Sequence, residues 1–343
     1  MSTHLSRRSF VVGSAAVSTA ALIQPSSAQG APMKMMMDWA WQGPLGFVLM
    51  ARNQGYFAEA GVPVQLDRGF GSGRVPVELA AGTYQMGFAD INPAIKFMAE
   101  QPQAGVVCVG VMYDGGAQVV IVDANGPIKT PKDLEGKMLA APDADGARQL
   151  FPAFAKATGI DASKVNWMSV TPELREPMLV QGRAQGITGF ITSAVPSLDR
   201  IGFGADRRRI FRYRDFGLPF ASSSILTTRK FIEENPKAVA GVVQAFMRGM
   251  QDTLKDQAAA IRALKAHEPL TDEAVETVRL KMSIDELVMT DHVKANGLSS
   301  ITPERFQASI TLIEQAFNLP PKLRTADVYD PRFLPGAAMR AVA

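Results

Sequence analysis

The 343 residues suffice for about two domains of ~100–200 residues each, and 47% hydrophobic with 20% charged residues describes a globular chain with a real core. A formal net charge of only +3, with Arg and Lys scattered apart from Arg207-Arg208-Arg209, excludes a nucleic-acid binder, and that triplet reads as a solvated turn. The single cysteine, Cys108, sits in the apolar run Val106–Val111, reads as a buried small hydrophobe, and excludes an internal disulfide or a cysteine metal cluster.

Taken in order, Ser6-Arg7-Arg8-Ser9-Phe10 precedes an apolar, small-residue segment from Val11 to Ile23, and Ser26-Ser27-Ala28 supplies a small-x-small cleavage pattern. This is the order of a secretory signal with a twin-arginine n-region over residues 1–28. Its apolar core is too short for a permanent membrane span. The expectation is an exported, periplasmic protein whose mature form begins near Gln29, with no cysteine there for a lipid anchor.

Strands and helices then alternate. Pro32–Trp39 reads as a strand, and Gly43-Pro44 starts a helix that ends near Gly55, because Pro fits the first helical turn. Val62–Leu66 is a strand. The glycine loop Gly71-Ser72-Gly73 leads into a helix ending at Gly82, and Tyr84–Ala89 is the next strand. A loop Asp90-Ile91-Asn92-Pro93 precedes the helix Ala94–Glu100. Val106–Tyr113 and Val119–Val122 are strands separated by Asp114-Gly115-Gly116. A strand follows Gly136, and Asp143–Arg148 leads into the helix Gln149–Thr158. Val165–Val170 is a strand, Glu173–Gln181 a helix, and Gly186–Thr192 a strand ending in a turn at Ser193-Ala194-Val195-Pro196. Ile210–Asp215 and Ser222–Thr227 are later strands. From Asn235-Pro236 onward the pattern is helical: a long helix through Lys255, then Gln257–His267, Thr271–Met282 and Pro303–Phe317.

The alternation occurs twice, in two similar halves, with breaks near Gly115-Gly116 and Gly217-Leu218-Pro219. The expected organisation is lobe I from 29–116 plus a helical return at 219–343, and an inserted lobe II from 117–218, joined by two crossings that act as a hinge. In open α/β sheets, ligands sit beyond the carboxyl ends of the strands. Those ends carry Asp38, Trp39, Trp41 and Gln42; Gly71, Ser72, Gly73 and Arg74; Asp90 and Asn92; Asp145, Gly146, Ala147 and Arg148; and Thr192 and Ser193. Backbone N–H groups at such turns are free to meet a ligand. Trp39 and Trp41 alternate and so point to opposite sides of an extended chain. Trp41, nearer the loop, is the preferred cleft residue. Arg148 is placed to pair with a carboxylate or sulfonate.

Catalytic patterns are missing from the sequence. There is no Gly-x-Ser-x-Gly elbow and no His-Glu-x-x-His, and Ser72, Ser222, Ser223 and Ser224 have no evident histidine partner among His4, His267 and His292. Asp38, Asp90, Asp143 and Asp145 could form a carboxylate cluster, although acidic residues at turns commonly cap helices.

Several stretches occur together in a familiar order: Asp38-Trp39 before an apolar helix, Gly55-Tyr56-Phe57 with Gly61-Val62 and Val64, Leu79-Ala80 with Gly82, Gly87-Phe88-Ala89-Asp90, Lys132-Asp133-Leu134 with Gly136-Lys137, and Asn235-Pro236. The chain resembles the periplasmic substrate-binding proteins of ABC importers for nitrate, sulfonates, taurine and thiamine-pyrimidine precursors. The resemblance implies an α/β, two-lobed type II periplasmic-binding fold, each lobe a sheet flanked by helices, with the ligand cleft between them. It implies closure on a small molecule without fixing which; the expectation is a monomer without cofactor or metal that captures a small aromatic, heteroaromatic or sulfonate- or carboxylate-bearing solute by hinge closure. It also implies delivery to an ABC permease in the inner membrane. The other roles that fit are an exported enzyme related to thiamine-pyrimidine synthesis and a ligand-sensing receptor. The pyrimidine synthase carries a histidine in the loop after Asp-Trp and a cysteine-rich segment; this chain has Leu45 at the first position and lacks the second.

Overall fold

The computed structural model describes residues 32–342, so the signal expected over 1–28 and its cleavage point lie outside the described residues. Ten strands form two five-stranded sheets. The first contains β1 (Met33–Met37), β2 (Val64–Asp67), β3 (Met86–Asp90) and β4 (Val106–Val111). The second contains β5 (Gln118–Asp123), β6 (Met138–Ala141), β7 (Asn166–Ser169), β8 (Gly186–Phe190) and β9 (Arg208–Arg212). The chain then returns to the first sheet as β10 (Ser223–Thr228), giving the orders β2-β1-β3-β10-β4 and β7-β6-β8-β5-β9. In each sheet one interior strand, β10 or β5, runs antiparallel to both neighbours. It is the strand that follows a crossing from the other sheet.

Helices cover both sheets, which explains why the central strands are apolar along their whole length rather than alternating. All five residues of β3 are buried. The first core is built on Phe47, Phe88 and Phe246, with ring centroids 5.4–5.6 Å apart. Phe246 comes from the helix Pro236–Lys255, so the helical return packs on the first lobe. In the second lobe Phe154 stacks on Tyr213 at 4.6 Å, and Val119, Ile121 and Ile187 belong to a separate core cluster. Cys108 is wholly buried in β4, and burial pushes its thiol up to about 12.

Some local expectations change. The turn expected at Ser193–Pro196 is the first half of a helix, Ile191–Arg200, with Pro196 inside it. Proline removes one helical hydrogen bond, but Ile191, Ala194, Val195 and Leu198 are buried, and that packing outweighs the local signal. The loop expected at Asp90–Pro93 is likewise helical: Ile91–Glu100 starts directly after β3, with Asp90 as its N-cap. Short helices at Arg229–Glu234 and Asp291–Asn296 escape the sequence pattern. The arginine triplet is split: Arg207 ends a 3-10 turn, Ala205–Arg207, while Arg208 and Arg209 open the edge strand β9, and Arg208 is paired with Asp199. Among the described residues no helix is long and apolar enough to cross a membrane.

Candidate functional site

A cleft with ≈ 530 Å³ of open space lies where the carboxyl ends of strands from both sheets converge. The first lobe supplies Asp38, Trp39, Gln42 and Leu45 from the turn after β1, Ser72, Phe88 from β3, and Tyr113 from the crossing after β4. The second supplies Asp145 and Gly146 after β6, Arg175, and Phe190, Thr192 and Ser193 at the end of β8.

Asp38 leaves β1 at the floor of this cleft and is 7% exposed. Its carboxylate accepts from Ser72 Oγ at 2.6 Å. Burial pushes its pKa up to about 7; the Ser72 bond lowers it in part, and nearby Asp90 raises it further. Four aromatic rings, those of Trp39, Phe88, Tyr113 and Phe190, line the same space. The Tyr113 hydroxyl donates to the Pro44 carbonyl, and burial holds its pKa well above the usual tyrosine range.

Arg175, 1% exposed, lines the cleft from the second lobe. Its Nε and Nη2 donate to Glu176 at 3.0 and 2.6 Å, Nη2 also to Ser193 Oγ at 3.2 Å, and Nη1 to Asp145 at 3.4 Å. The guanidinium carbon lies 4.9 Å from the Trp39 ring centroid. A side chain at Gly189 would put its Cβ 2.4 Å from Arg175 Nη1, so only glycine on β8 lets this arginine enter. Burial pulls the guanidinium pKa down, but the two carboxylates more than reverse this and it ends raised. Asp145 is saturated as well, accepting from Arg148 N at 2.9 Å and Thr188 Oγ1 at 3.0 Å.

Eight of the sixteen residues singled out from sequence line this cleft: Asp38, Trp39, Gln42, Ser72, Asp145, Gly146, Thr192 and Ser193. The remaining eight do not. Trp41, the preferred cleft tryptophan, does not line this inner space: it sits edge-on to His267 at 4.6 Å, packed on the first core, and borders the outer space that Trp39, Gln42, Arg175 and Ser193 also line. Of the two alternating tryptophans, Trp39 is the one that lines the inner cleft. Arg148 folds back outward: it donates to Ala141 O at 2.8 Å, pairs with Asp143 and lies over Trp167 at 4.8 Å. Arg148 therefore does not line this space.

The glycine loop also has its donors committed. Gly71 N bonds Asp38 O at 2.7 Å, and Gly73 N bonds Ala144 O of the other lobe at 3.0 Å. Gly71 has φ 138° and its missing Cβ would lie 2.3 Å from the Ala144 carbonyl carbon, so this loop is a lobe-to-lobe contact. Arg74 points out to Glu78. Asp90 and Asn92 lie behind the cleft: Asp90 is wholly buried, accepts from Asn92 Nδ2 at 2.6 Å and from Gln118, and is pushed up by burial to about 6. Ala147 is buried in the helix start, with its carbonyl accepting from Tyr213.

Sequence reasoning missed Arg175, Tyr113, Phe88 and Phe190. Phe190 closes an apolar strand and was readable by position; nothing local marks Arg175 among the chain's arginines. Among the described residues no group of three or more His, Cys, Asp or Glu could hold a metal ion.

Comparison with known proteins follows the same lines. The chain is 25% identical over 263 residues, 71% of its length and 74% of the relative's, to a formylaminopyrimidine-binding protein of Halalkalibacterium halodurans. Its fold is similar to that of the alkanesulfonate-binding protein SsuA from Xanthomonas axonopodis pv. citri bound to MOPS, with TM-score 0.68 and 16% identity over 89% of this chain and 99% of that one. It is similar as well to that of the periplasmic nitrate-binding protein NrtA from Synechocystis PCC 6803, with TM-score 0.65 and 11% identity over 88% and 86% of the two chains. At such identities these structures speak for the two-lobed periplasmic-binding fold. The family model described as NMT1/THI5 like matches residues 44–260, which contain every strand of both sheets except β1, and the chain belongs to that family.

Proposed function

We propose that this chain is a periplasmic solute-binding protein that closes on a small heteroaromatic solute bearing N–H donors and delivers it to an ABC permease. The observation that carries the reading is the pairing state of the cleft's charges. Asp38 has a single side-chain donor, Ser72, and sits among four aromatic rings. Arg175 spends its donors on Glu176, Asp145 and Ser193. A sulfonate or nitrate would need a cation free to neutralise it, whereas an amino-substituted ring would stack on the walls and donate to Asp38. The name of the Halalkalibacterium relative, a binder of formylaminopyrimidine, agrees with this chemistry.

In this reading lobe II is the insertion 117–218, and the crossings between β4 and β5 and between β9 and β10 are the hinge. Export by the twin-arginine route belongs to the same reading and is carried by Arg7-Arg8 ahead of the apolar run Val11–Ile23. The test is calorimetry with 4-aminopyrimidine, cytosine, taurine, an alkanesulfonate and nitrate. The amino-substituted rings should bind and the anions should not; tighter binding of any of the anions would overturn the assignment.

A further inference from the structure

Two buried charges on the helix Glu273–Ser283 reach both sides of the cleft without lining its inner part. Glu276 Oε2 accepts from the Gly43 amide at 2.6 Å, in the loop that brings Gln42 and Pro44 to the ligand space. Glu276 Oε1 lies 3.0 Å from Arg279 Nε. Arg279 then donates from Nη1 to the Ser193 carbonyl at 2.5 Å and from Nη2 to Ser197 Oγ at 2.7 Å. Ser193 lines the cleft and accepts at Oγ from Arg175. Polar contacts therefore run unbroken from the Gly43 loop of the first lobe, through Glu276 and Arg279, to Ser193, Arg175 and Asp145 of the second. The helix itself packs on Gly43–Leu45 and on Gln257–His267 on one side, and on Ile191–Arg200 on the other.

We propose that Glu276 and Arg279 form a closing strut, in which Arg279 positions Ser193 and the helix Ile191–Arg200 against the Gly43 loop and holds the cleft shut. The division of bonds suits a reversible fastening. Glu276 and Arg279 are three residues apart on one helix, so their ion pair survives if the lobes separate. Of the strut's own bonds, only the two from Arg279 to Ser193 and Ser197 break, and their acceptors, a carbonyl and a hydroxyl, are readily hydrated. Neither buried charge is left alone on opening, which would oppose the motion strongly. A guanidinium gripped by a carboxylate is also pre-oriented, so little freedom is lost when the cleft shuts. The strut's effect on affinity rests on the solute-binding reading; its effect on closure does not.

The experiment compares wild type with Arg279→Met, Arg279→Lys and Ser197→Ala by small-angle scattering, each alone and with 4-aminopyrimidine, and follows ligand release by stopped flow. Arg279→Met should enlarge the radius of gyration in both states and speed release about tenfold, as expected when a buried charged hydrogen bond is cut. Ser197→Ala should move both readings the same way by less, and Arg279→Lys should recover part of the loss. Wild-type radius and release rate in Arg279→Met and Ser197→Ala would overturn the strut, whether or not their melting temperatures fall. If Arg279→Met does not fold, Ser197→Ala, which removes no charge, decides. If wild type fails to bind 4-aminopyrimidine, the solute assignment fails, and the strut stands or falls on the radius alone.

Discussion

The two lobes present the same kind of turn to the cleft and use it in opposite ways. After β1 the chain reads Asp38-Trp39; after β6 it reaches Asp145 by way of Pro142, Asp143 and Ala144. Both carboxylates are nearly buried. Asp145 is consumed by the fold: it caps the helix Gly146–Gln149, takes Thr188 and meets Arg175. Asp38 caps no helix, has Ser72 as its one side-chain donor, and burial pushes its pKa up to about 7. The same residue type at the same kind of strand end is thus tied into the fold in one lobe and left with a single side-chain donor in the other.

The largest expected effect tests the structural side. Arg175→Met would strand Asp145 and Glu176 in a buried place, and urea denaturation should register a loss of ~3–5 kcal/mol. A loss under about 1 kcal/mol would mean the second turn does not depend on its ion pairs in the way described.

Asp38→Asn tests the other side. It should weaken binding of the solute by ~1.5–3 kcal/mol in calorimetry, the size of a charge-assisted hydrogen bond. It should not lower the stability of the empty protein. The folded pKa of Asp38, about 7, stands above its ordinary value of 3.8, so the folded state holds the proton more tightly than the unfolded state. Its contribution to stability is therefore full at pH below 3.8 and is lost as pH rises through about 7. Solute binding runs the other way. It needs the carboxylate, so affinity for a ring that does not itself titrate should rise with pH through about 7, and Asp38→Asn should flatten that dependence.

The tryptophans give a smaller, sharper contrast. Trp39→Ala should cost about 1 kcal/mol of affinity, because its ring faces the ligand space. Trp41→Ala should leave affinity alone and lower the unfolding free energy by about 1–2 kcal/mol through its lost packing on His267. The reverse pattern would reinstate Trp41 as the cleft residue. The smallest effect belongs to Arg148→Ala, which should change affinity by less than about 0.5 kcal/mol because its guanidinium points at Ala141, Asp143 and Trp167. A larger change, confined to anionic solutes, would revive the sulfonate alternative.

What the sequence by itself determined is the alternation of strands and helices, the two halves, the helical return after Asn235, and the strand ends at which the cleft forms. Those follow from short-range causes: apolar period, proline at helix starts and glycine at helix ends. Trp39, Gln42, Thr192 and Ser193 come to line the cleft because position along a strand is a local property. What only the tertiary structure decided is which side chains at those ends remain unspent. Trp39 rather than Trp41 faces inward because His267, far along the chain, receives the other ring. Gly71 and Gly73 surrender their amides to Asp38 and Ala144. Arg175 arrives from a helix whose sequence carries no mark of a cleft, admitted by the missing side chain at Gly189 and neutralised by Asp145 and Glu176. Each of these depends on partners distant in sequence, and the balance of buried charge that selects a ligand exists only once the two lobes are brought together.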